Sequence, residues 1–182
     1  MIIGITGTNG AGKGTVVEYL ISKGFAHYSA RGFITEEIQR RGMPVDRSSM
    51  REVANDLRQT HVPSYIVEQL FNAAQAAGGD AIIESIRNVG EAEFLKVHGA
   101  MLLAVDADQK LRYERSVARG SETDRVDFDT WVMQEEREWH NAAAHDMNVP
   151  GVMQMADATI TNNGTLSELH AQVDAVLEKS VG

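Results

Sequence analysis

Short apolar runs alternate with amphipathic segments along the whole chain. The apolar runs predict buried strands at residues 2–5, 80–84, 100–105 and 158–161, with a weaker candidate at 25–29. The segments between them repeat apolar residues at helical spacing and predict helices at 15–22, 33–41, 48–59, 63–77, 90–97, 107–119, 128–145 and 165–179. Strands that are separated by helices need crossover connections. The pattern therefore predicts an α/β fold, a mostly parallel sheet with helices on both faces.

The length of 182 residues fits one domain, and a hydrophobic content of 43% is enough for a substantial core. No apolar run approaches the roughly 18–20 residues of a membrane span. The first residues, Met1 to Thr6, lack the basic segment that opens a signal peptide. We therefore expect a single domain over residues 1–182, located in the cytoplasm and without membrane contact.

Acidic residues outnumber basic ones, with 26 Asp and Glu against 17 Lys and Arg and a net charge of −9. A broad surface for a nucleic-acid polymer or an anionic membrane needs a basic face, so we expect neither partner. A small basic pocket is compatible with this balance. The chain has no cysteine, which excludes disulfides, thiolate zinc sites, iron–sulfur clusters and cysteine nucleophiles.

A glycine-rich loop follows the first predicted strand and precedes the first predicted helix. Residues 7–13 fit the pattern Gly-x-x-x-x-Gly-Lys, in which glycines let backbone N–H groups wrap a phosphate. The helix N-terminus adds positive potential, and Lys13 supplies a cation for the β- and γ-phosphates. Gly14 stands where the usual hydroxyl ligand of Mg²⁺ would be, so we assign that role to Thr15. The expected nucleotide contacts are Asn9, Gly10, Ala11, Gly12, Lys13, Gly14 and Thr15.

Residues 7–15 also fit the complete Gly-x-x-Gly-x-Gly-Lys-Gly-Thr loop of adenylate kinases and related nucleoside monophosphate kinases. Further landmarks follow in the order and spacing of this superfamily, at residues 36–42, 82–87, 112–119 and 161–165. The chain resembles its compact branch, the archaeal adenylate-kinase-related and dephospho-CoA-kinase-like proteins. The resemblance implies a P-loop NTPase three-layer sandwich with a five-stranded parallel sheet in the order 2-3-1-4-5. It also implies an acceptor-side helical region at about 30–78 and a small helical lid at about 115–127.

Glu84 and Arg87 leave the carboxyl end of a clear strand, which is where open α/β sheets bind ligands. The resemblance implies that Glu84 orients Mg²⁺ and that Arg87 is a catalytic residue that grips the acceptor phosphate, a task suited to a bidentate guanidinium. The related kinases carry Asp at the position of Glu84. The structural alternative is a carboxylate–arginine pair that closes the strand. Arg31 and Arg47 are further acceptor candidates, and solvated helix charges are the alternative for both.

Arg112, Arg115 and Arg119 are spaced by three and four residues, so they share one face of a predicted helix. The resemblance implies that arginines here lead into a lid over the donor phosphates. Arg115 and Arg119 are then catalytic residues beside Lys13, because they stabilise charge on the transferred group. The polar residues 121–125 would form the lid itself. Salt bridges along the helix are the structural alternative.

Asn163 and Gly164 lie in a loop after the last strand. The resemblance implies that backbone groups of this loop contact the adenine of ATP, and a helix cap by Asn163 or Thr165 is compatible with that role. Asp106 and Asp108 follow another strand. Here we expect one of them to cap a helix rather than to bind a metal.

Together these features predict a nucleotide kinase that uses ATP and Mg²⁺. Its expected partner is a small phosphorylated acceptor, for which a nucleoside or deoxynucleoside monophosphate is the first candidate, and the protein is expected to be a monomer or a homodimer. One alternative is a dephospho-CoA-like kinase that phosphorylates a sugar hydroxyl. The other is an ATP-binding regulatory module.

Overall fold

The computed structural model describes residues 1–120, 126–139 and 147–181, apart from the side chains of residues 47, 137, 138 and 181. The strands are β1 (Ile2–Gly7), β2 (Ala26–Ser29), β3 (Ala81–Glu84), β4 (Met101–Asp106) and β5 (Ala158–Thr161). The helices are α1 (Lys13–Ser22), α2 (Ala30–Arg40), α3 (Arg47–Thr60), α4 (Tyr65–Ala77), α5 (Val89–Val97), α6 (Gln109–Arg119), α7 (Phe128–Trp139), α8 (Val149–Gln154) and α9 (Leu166–Val181). No helix within these described ranges is long and apolar enough to cross a membrane.

The five strands form one parallel sheet in the order β2-β3-β1-β4-β5, which confirms the predicted order. The register places Glu84 beside Ile5 and beside Ser29. It also places Gly7 beside Val105. Because parallel strands all end at the same edge, the glycine-rich loop, Glu84 and the end of β4 lie along one edge of the sheet.

Helices cover both faces of the sheet, as the alternation of strands and helices predicted. One buried cluster joins α2, α3, α4, α5 and α8 to the sheet through residues such as Ile83 and Leu102. The other joins α1 and α9 to the sheet through residues such as Ile82 and Leu103. Adjacent residues of one strand serve opposite clusters because side chains alternate across a strand. The architecture is therefore the three-layer sandwich expected from the sequence.

The boundaries of several elements differ from the prediction. The predicted helix at 63–77 begins at Tyr65, and the predicted helix at 107–119 begins at Gln109. The short helix α8 was not predicted, because a six-residue segment that contains a proline and a glycine carries little periodic signal. Its Val152 is fully buried in the cluster with α5. The predicted helix at 128–145 is described as far as Trp139, and the rest lies outside the described residues.

The last helix is capped as predicted. The Oγ1 of Thr165 accepts a hydrogen bond from the backbone N–H of Glu168 at 3.3 Å. The carboxylate of Glu168 in turn accepts a bond from the backbone N–H of Thr165 at 2.7 Å. This reciprocal pair is the capping-box arrangement, which satisfies two backbone donors at the helix start.

Ser85 follows β3 with a φ of 70° and is the one non-glycine residue of the described ranges in the left-handed region. A side chain in this conformation is strained, whereas glycine adopts it readily. We expect Ser85→Gly to raise the free energy of unfolding by about 0.5–1 kcal/mol. Urea denaturation would measure the change. Ser85→Ala keeps the strained Cβ and is the matched control, so equal stability of the two variants would contradict this prediction.

Candidate active site

The glycine-rich loop packs closely against α6 and against the loop after β5. Gly10 and Gly12 have φ values of 76° and 94°, which favour glycine. A Cβ on Gly10 would lie 2.3 Å from the carbonyl oxygen of Arg112, and one on Gly12 would lie 2.3 Å from Nδ2 of Asn162. Gly14 differs from both, since a Cβ there would meet no atom within 4 Å. Glycine is therefore required at positions 10 and 12, where the backbone conformation and the close packing of the loop leave no room for a side chain.

Lys13 folds back over this loop. Its Nζ donates hydrogen bonds to the carbonyl oxygens of Gly7, at 2.9 Å, and of Thr8, at 2.7 Å. Burial, together with the positive charges of Arg87 and Arg119 and against an opposing effect of Glu84, lowers the pKa of the ammonium from 10.5 to about 8. The ammonium therefore sits in a local excess of positive charge, which a bound polyphosphate would neutralise.

Asp106 ties the loop to the end of β4. Its Oδ1 accepts hydrogen bonds from Oγ1 of Thr8 at 2.6 Å and from the backbone N–H of Ala107 at 2.9 Å. Asp108 stands at the N-cap position of α6 but makes no side-chain capping bond. The expectation that one of these carboxylates caps the helix through its side chain is wrong, because Asp106 binds the loop and Asp108 binds Asn163.

Arg112 also contacts the glycine-rich loop, although its sequence pattern does not distinguish it from Arg115 and Arg119 on the same helix face. It is 4% exposed, and its guanidinium donates to the carbonyl oxygens of Asn9, at 3.3 Å, and Ala107, at 3.0 Å. It also forms a buried ion pair with Glu135 of α7. An arginine at helical spacing from two others looks like a surface charge in sequence. Only the docking of α7 shows that it is internal.

Glu84 faces the neighbouring strand β2. Its Oε1 accepts a hydrogen bond from Oγ of Ser29 at 2.8 Å and lies 3.5 Å from Nε2 of His27. The carboxylate is therefore held at the ends of β2 and β3, near enough to Lys13 to raise its pKa. His27 and Ser29 were not predicted as site residues, because their pairing with Glu84 depends on the register of β2 against β3.

The acceptor-side arginines are placed differently from one another. Arg87 is exposed, and its Nη1 contacts Sδ of Met147 at 3.7 Å. Arg31 is exposed in the first turn of α2, directly after β2. Arg47 is the first residue of α3, and its side chain lies outside the described residues. Of the three, only Arg87 is shown near Lys13 by its effect on the lysine pKa.

The two predicted lid arginines extend from α6 to different loops. Arg119 donates from Nη2 to Oδ1 of Asn9 at 3.4 Å, so it reaches the glycine-rich loop. Arg115 donates from Nη1 to the carbonyl oxygen of Asn162 at 2.9 Å, so it reaches the loop after β5. The predicted lid itself, residues 121–125, lies outside the described residues.

The loop after β5 also touches the phosphate loop. Nδ2 of Asn162 donates to the carbonyl oxygen of Ala11 at 2.8 Å. Beside it an open cavity of about 550 Å³ is lined by Asn163, Gly164, Glu168, Ala171 and Gln172. The two residues that were predicted to contact adenine therefore line a depression beside the first turns of α9.

The described side chains contain no group of three or more His, Asp or Glu residues that could hold a metal ion alone. In nucleotide sites Mg²⁺ is bound by one or two protein ligands and by the phosphates of the substrate. Glu84 and the half-buried Thr15 in the first turn of α1 are oxygen donors of the required kind.

Comparison with known proteins identifies the fold and the family. The fold and the loop define a P-loop kinase-like α/β protein. A family model described as an AAA domain matches residues 3–145, and the chain belongs to that family.

The alignments with similar curated proteins cover nearly the whole of this chain and of each relative. The UPF0200 protein TK1334 of Thermococcus kodakarensis is 28% identical over 189 residues, which cover 100% of this chain and 98% of the relative. The UPF0200 protein MMP1282 of Methanococcus maripaludis is 25% identical over 184 residues, covering 99% and 97%.

Two solved structures show the same fold. TT1252 from Thermus thermophilus superposes with a TM-score of 0.67 at 21% identity, over 98% of this chain and 97% of the other. Shikimate kinase from Aquifex aeolicus superposes with a TM-score of 0.60 at 14% identity, over 100% and 98%. The predicted fold class is confirmed by both.

The lowered pKa of Lys13 predicts a pH dependence of nucleotide binding. Below about pH 8 the ammonium is charged, and a bound polyphosphate raises its pKa because it favours the charged form. The association constant for ATP should therefore fall as the pH rises above about 8, by up to about tenfold per pH unit. Calorimetric titrations from about pH 7 to about pH 9.5 would measure this. Lys13→Met should bind weakly with a flat profile, and a flat profile in the wild type would contradict the prediction.

Proposed function

We propose that the protein is an ATP-dependent phosphotransferase that moves the γ-phosphate to a small phosphorylated acceptor. The preferred acceptor class is a nucleoside or deoxynucleoside monophosphate. One observation carries the proposal: Lys13 and Arg119 both bind the phosphate loop, and Arg87 and Glu84 lie near enough to Lys13 to change its pKa. A site that only bound and released a nucleotide would need no second cation at the end of β3.

The donor side of the site is the loop that begins α1. Backbone N–H groups of residues 9–15 and the ammonium of Lys13 would bind the phosphates of ATP. Arg119, which contacts Asn9, would stabilise the charge of the γ-phosphate during transfer. Arg115 would hold the loop after β5 near the base. Asn163 and Gly164 would border the adenine.

The acceptor side is the edge formed by Arg87 and the segment at about 30–78. An oxygen of the acceptor phosphate would attack the γ-phosphorus, and the bond to the bridging oxygen of ADP would break. Such a transfer needs positioning and charge stabilisation rather than a covalent nucleophile. Arg87 would bind the acceptor phosphate bidentately, with Arg31 and Arg47 as further contacts.

Thr15 and Glu84 would hold Mg²⁺ together with the phosphates. The ion would neutralise charge that develops on the transferred group and on ADP. The contact from Ser29 fixes the carboxylate of Glu84 for this task.

A hydroxyl acceptor is the second candidate, and the bond from Ser29 to Glu84 favours it. That bond shows that Oε1 accepts a hydrogen bond from an O–H group at 2.8 Å. An acceptor hydroxyl that replaced Ser29 as the donor to Oε1 would transfer its proton to the carboxylate as it attacks the γ-phosphorus. Similar structures include a shikimate kinase from Acinetobacter baumannii in complex with shikimate.

An acceptor panel tests both candidates. Purified protein would be incubated with ATP, Mg²⁺ and single nucleoside or deoxynucleoside monophosphates, dephospho-CoA or shikimate, with ADP and phosphorylated product measured. We expect transfer to at least one monophosphate, and Lys13→Ala should abolish it because the donor phosphates lose their cation. Transfer only to a hydroxyl would favour the second candidate. ATP binding without transfer to any acceptor would contradict both and favour a regulatory module.

Arg87→Ala tests the acceptor role separately from donor binding. Loss of the guanidinium should raise the KM of the acceptor or lower kcat by about tenfold or more, while the Kd of ATP changes by less than about threefold. Arg40→Ala is the control, since it removes an exposed arginine that pairs with Glu37 at the end of α2 remote from β2. Unchanged acceptor KM and kcat in the Arg87 variant would contradict its proposed role.

A further inference from the structure

The carboxylate of Glu91 is buried at the start of α5, and both of its oxygens accept hydrogen bonds. Glu91 is 1% exposed and lies in the first turn of α5. Its Oε1 accepts hydrogen bonds from Nη2 and Nε of Arg58, at 2.8 and 3.2 Å. Its Oε2 accepts bonds from the backbone N–H groups of Arg87, at 3.0 Å, and Asn88, at 3.1 Å.

Only part of this arrangement is explained by the helix cap. The bond from Asn88 completes a capping box with its side chain, which a Gln at position 91 would satisfy equally well. A buried charge is costly without a partner, so the pairing with Arg58 is what permits a carboxylate here. The pair therefore joins the start of α5 to α3, 33 residues earlier in the chain.

Arg58 lies on α3, within the segment at about 30–78 that is proposed to contact the acceptor. It is 9% exposed on α3, whose Val53 and Leu57 pack into the same buried cluster as α2 and α4. A displacement of α3 would thus be passed to Glu91 through two hydrogen bonds with charged partners. Such bonds are short, directional and strong in a buried setting.

The backbone of Arg87 is held from two sides. Its N–H binds Glu91, and its carbonyl oxygen accepts a bond from the backbone N–H of Asn148 at 2.8 Å. The side chain itself is exposed at the edge of the sheet. The guanidinium therefore extends from a peptide segment that Glu91, paired with Arg58, and Asn148 hold in place.

We infer that Arg58 and Glu91 are positioning residues for Arg87, which couple the placement of helix α3 to the grip on the acceptor phosphate. This inference rests on the proposed function, because it assigns the acceptor phosphate to Arg87. It predicts that the pair acts on acceptor binding and transfer, and that ATP binding is largely independent of it.

The test is a double-mutant cycle with kinetic readouts. Arg58→Met should raise the acceptor KM by about tenfold and change the Kd of ATP by less than about twofold, and Arg58→Lys should recover part of the loss. In the Arg87→Ala background the Arg58 substitution should add almost nothing, because both variants remove one interaction. Additive losses, or an unchanged acceptor KM, would overturn the inference. If Arg58→Met does not fold, Arg58→Lys and Glu91→Gln enter the same cycle.

Lys96→Met is the matched control on the same helix. It removes an ion pair with Asp157 at the other end of α5, at 2.6 Å, and should leave the acceptor KM unchanged. An equal effect of the control would mean that any weakening of α5 lowers acceptor binding, which would also overturn the inference.

A binding measurement separates this inference from the proposed function. Protein saturated with a non-hydrolysable ATP analogue and Mg²⁺ would be titrated with inorganic phosphate, with the Nε–Hε NMR signal of Arg87 as the readout. We expect saturation in the wild type and about tenfold weaker binding in Arg58→Met. No response in the wild type overturns the inference, and phosphoryl transfer in the acceptor panel then decides independently whether the protein is a kinase.

Discussion

The burial of a lysine ammonium among arginine side chains is the constraint on which the rest of the site depends. Burial disfavours a charged group and like charges repel, and the pKa of Lys13 is lowered first by its burial and then by the positive charges of Arg87 and Arg119. The empty protein tolerates it because two backbone carbonyl oxygens accept bonds from the ammonium and because Glu84 opposes part of the charge. A polyphosphate removes the repulsion, so the same arrangement that weakens the empty state favours ligand binding.

Such a site needs rigid support, and the support is polar and internal. Asp106 binds Thr8 of the phosphate loop, while Arg112 joins the same loop to α7. On the acceptor side the buried pair of Arg58 and Glu91 holds the peptide of Arg87. In each case a charged side chain binds a segment that carries a candidate site residue.

Much of the fold could be predicted from the sequence because its signals are local. Four apolar runs and one weaker candidate marked the five strands, and the glycine-rich loop marked the end of β1, since these patterns lie within a few consecutive residues. The helix α8 was missed because it is too short for a period to show. The expected side-chain cap by Asp106 or Asp108 is not formed, because Asp106 binds Thr8, 98 residues away in the chain, and Asp108 binds Asn163.

The sequence by itself determined the class of fold, the phosphate loop and the residue types available for phosphoryl transfer. The tertiary structure alone decided which of these residues meet. Arg112, Arg115 and Arg119 look equivalent along one helix, yet one is buried against Glu135, one binds the loop after β5 and one reaches Asn9. Likewise Arg58 and Glu91 show no relation in sequence. The physical reason is that hydrophobic periodicity is fixed by neighbouring residues, whereas charge pairing depends on which helices the packed core brings together.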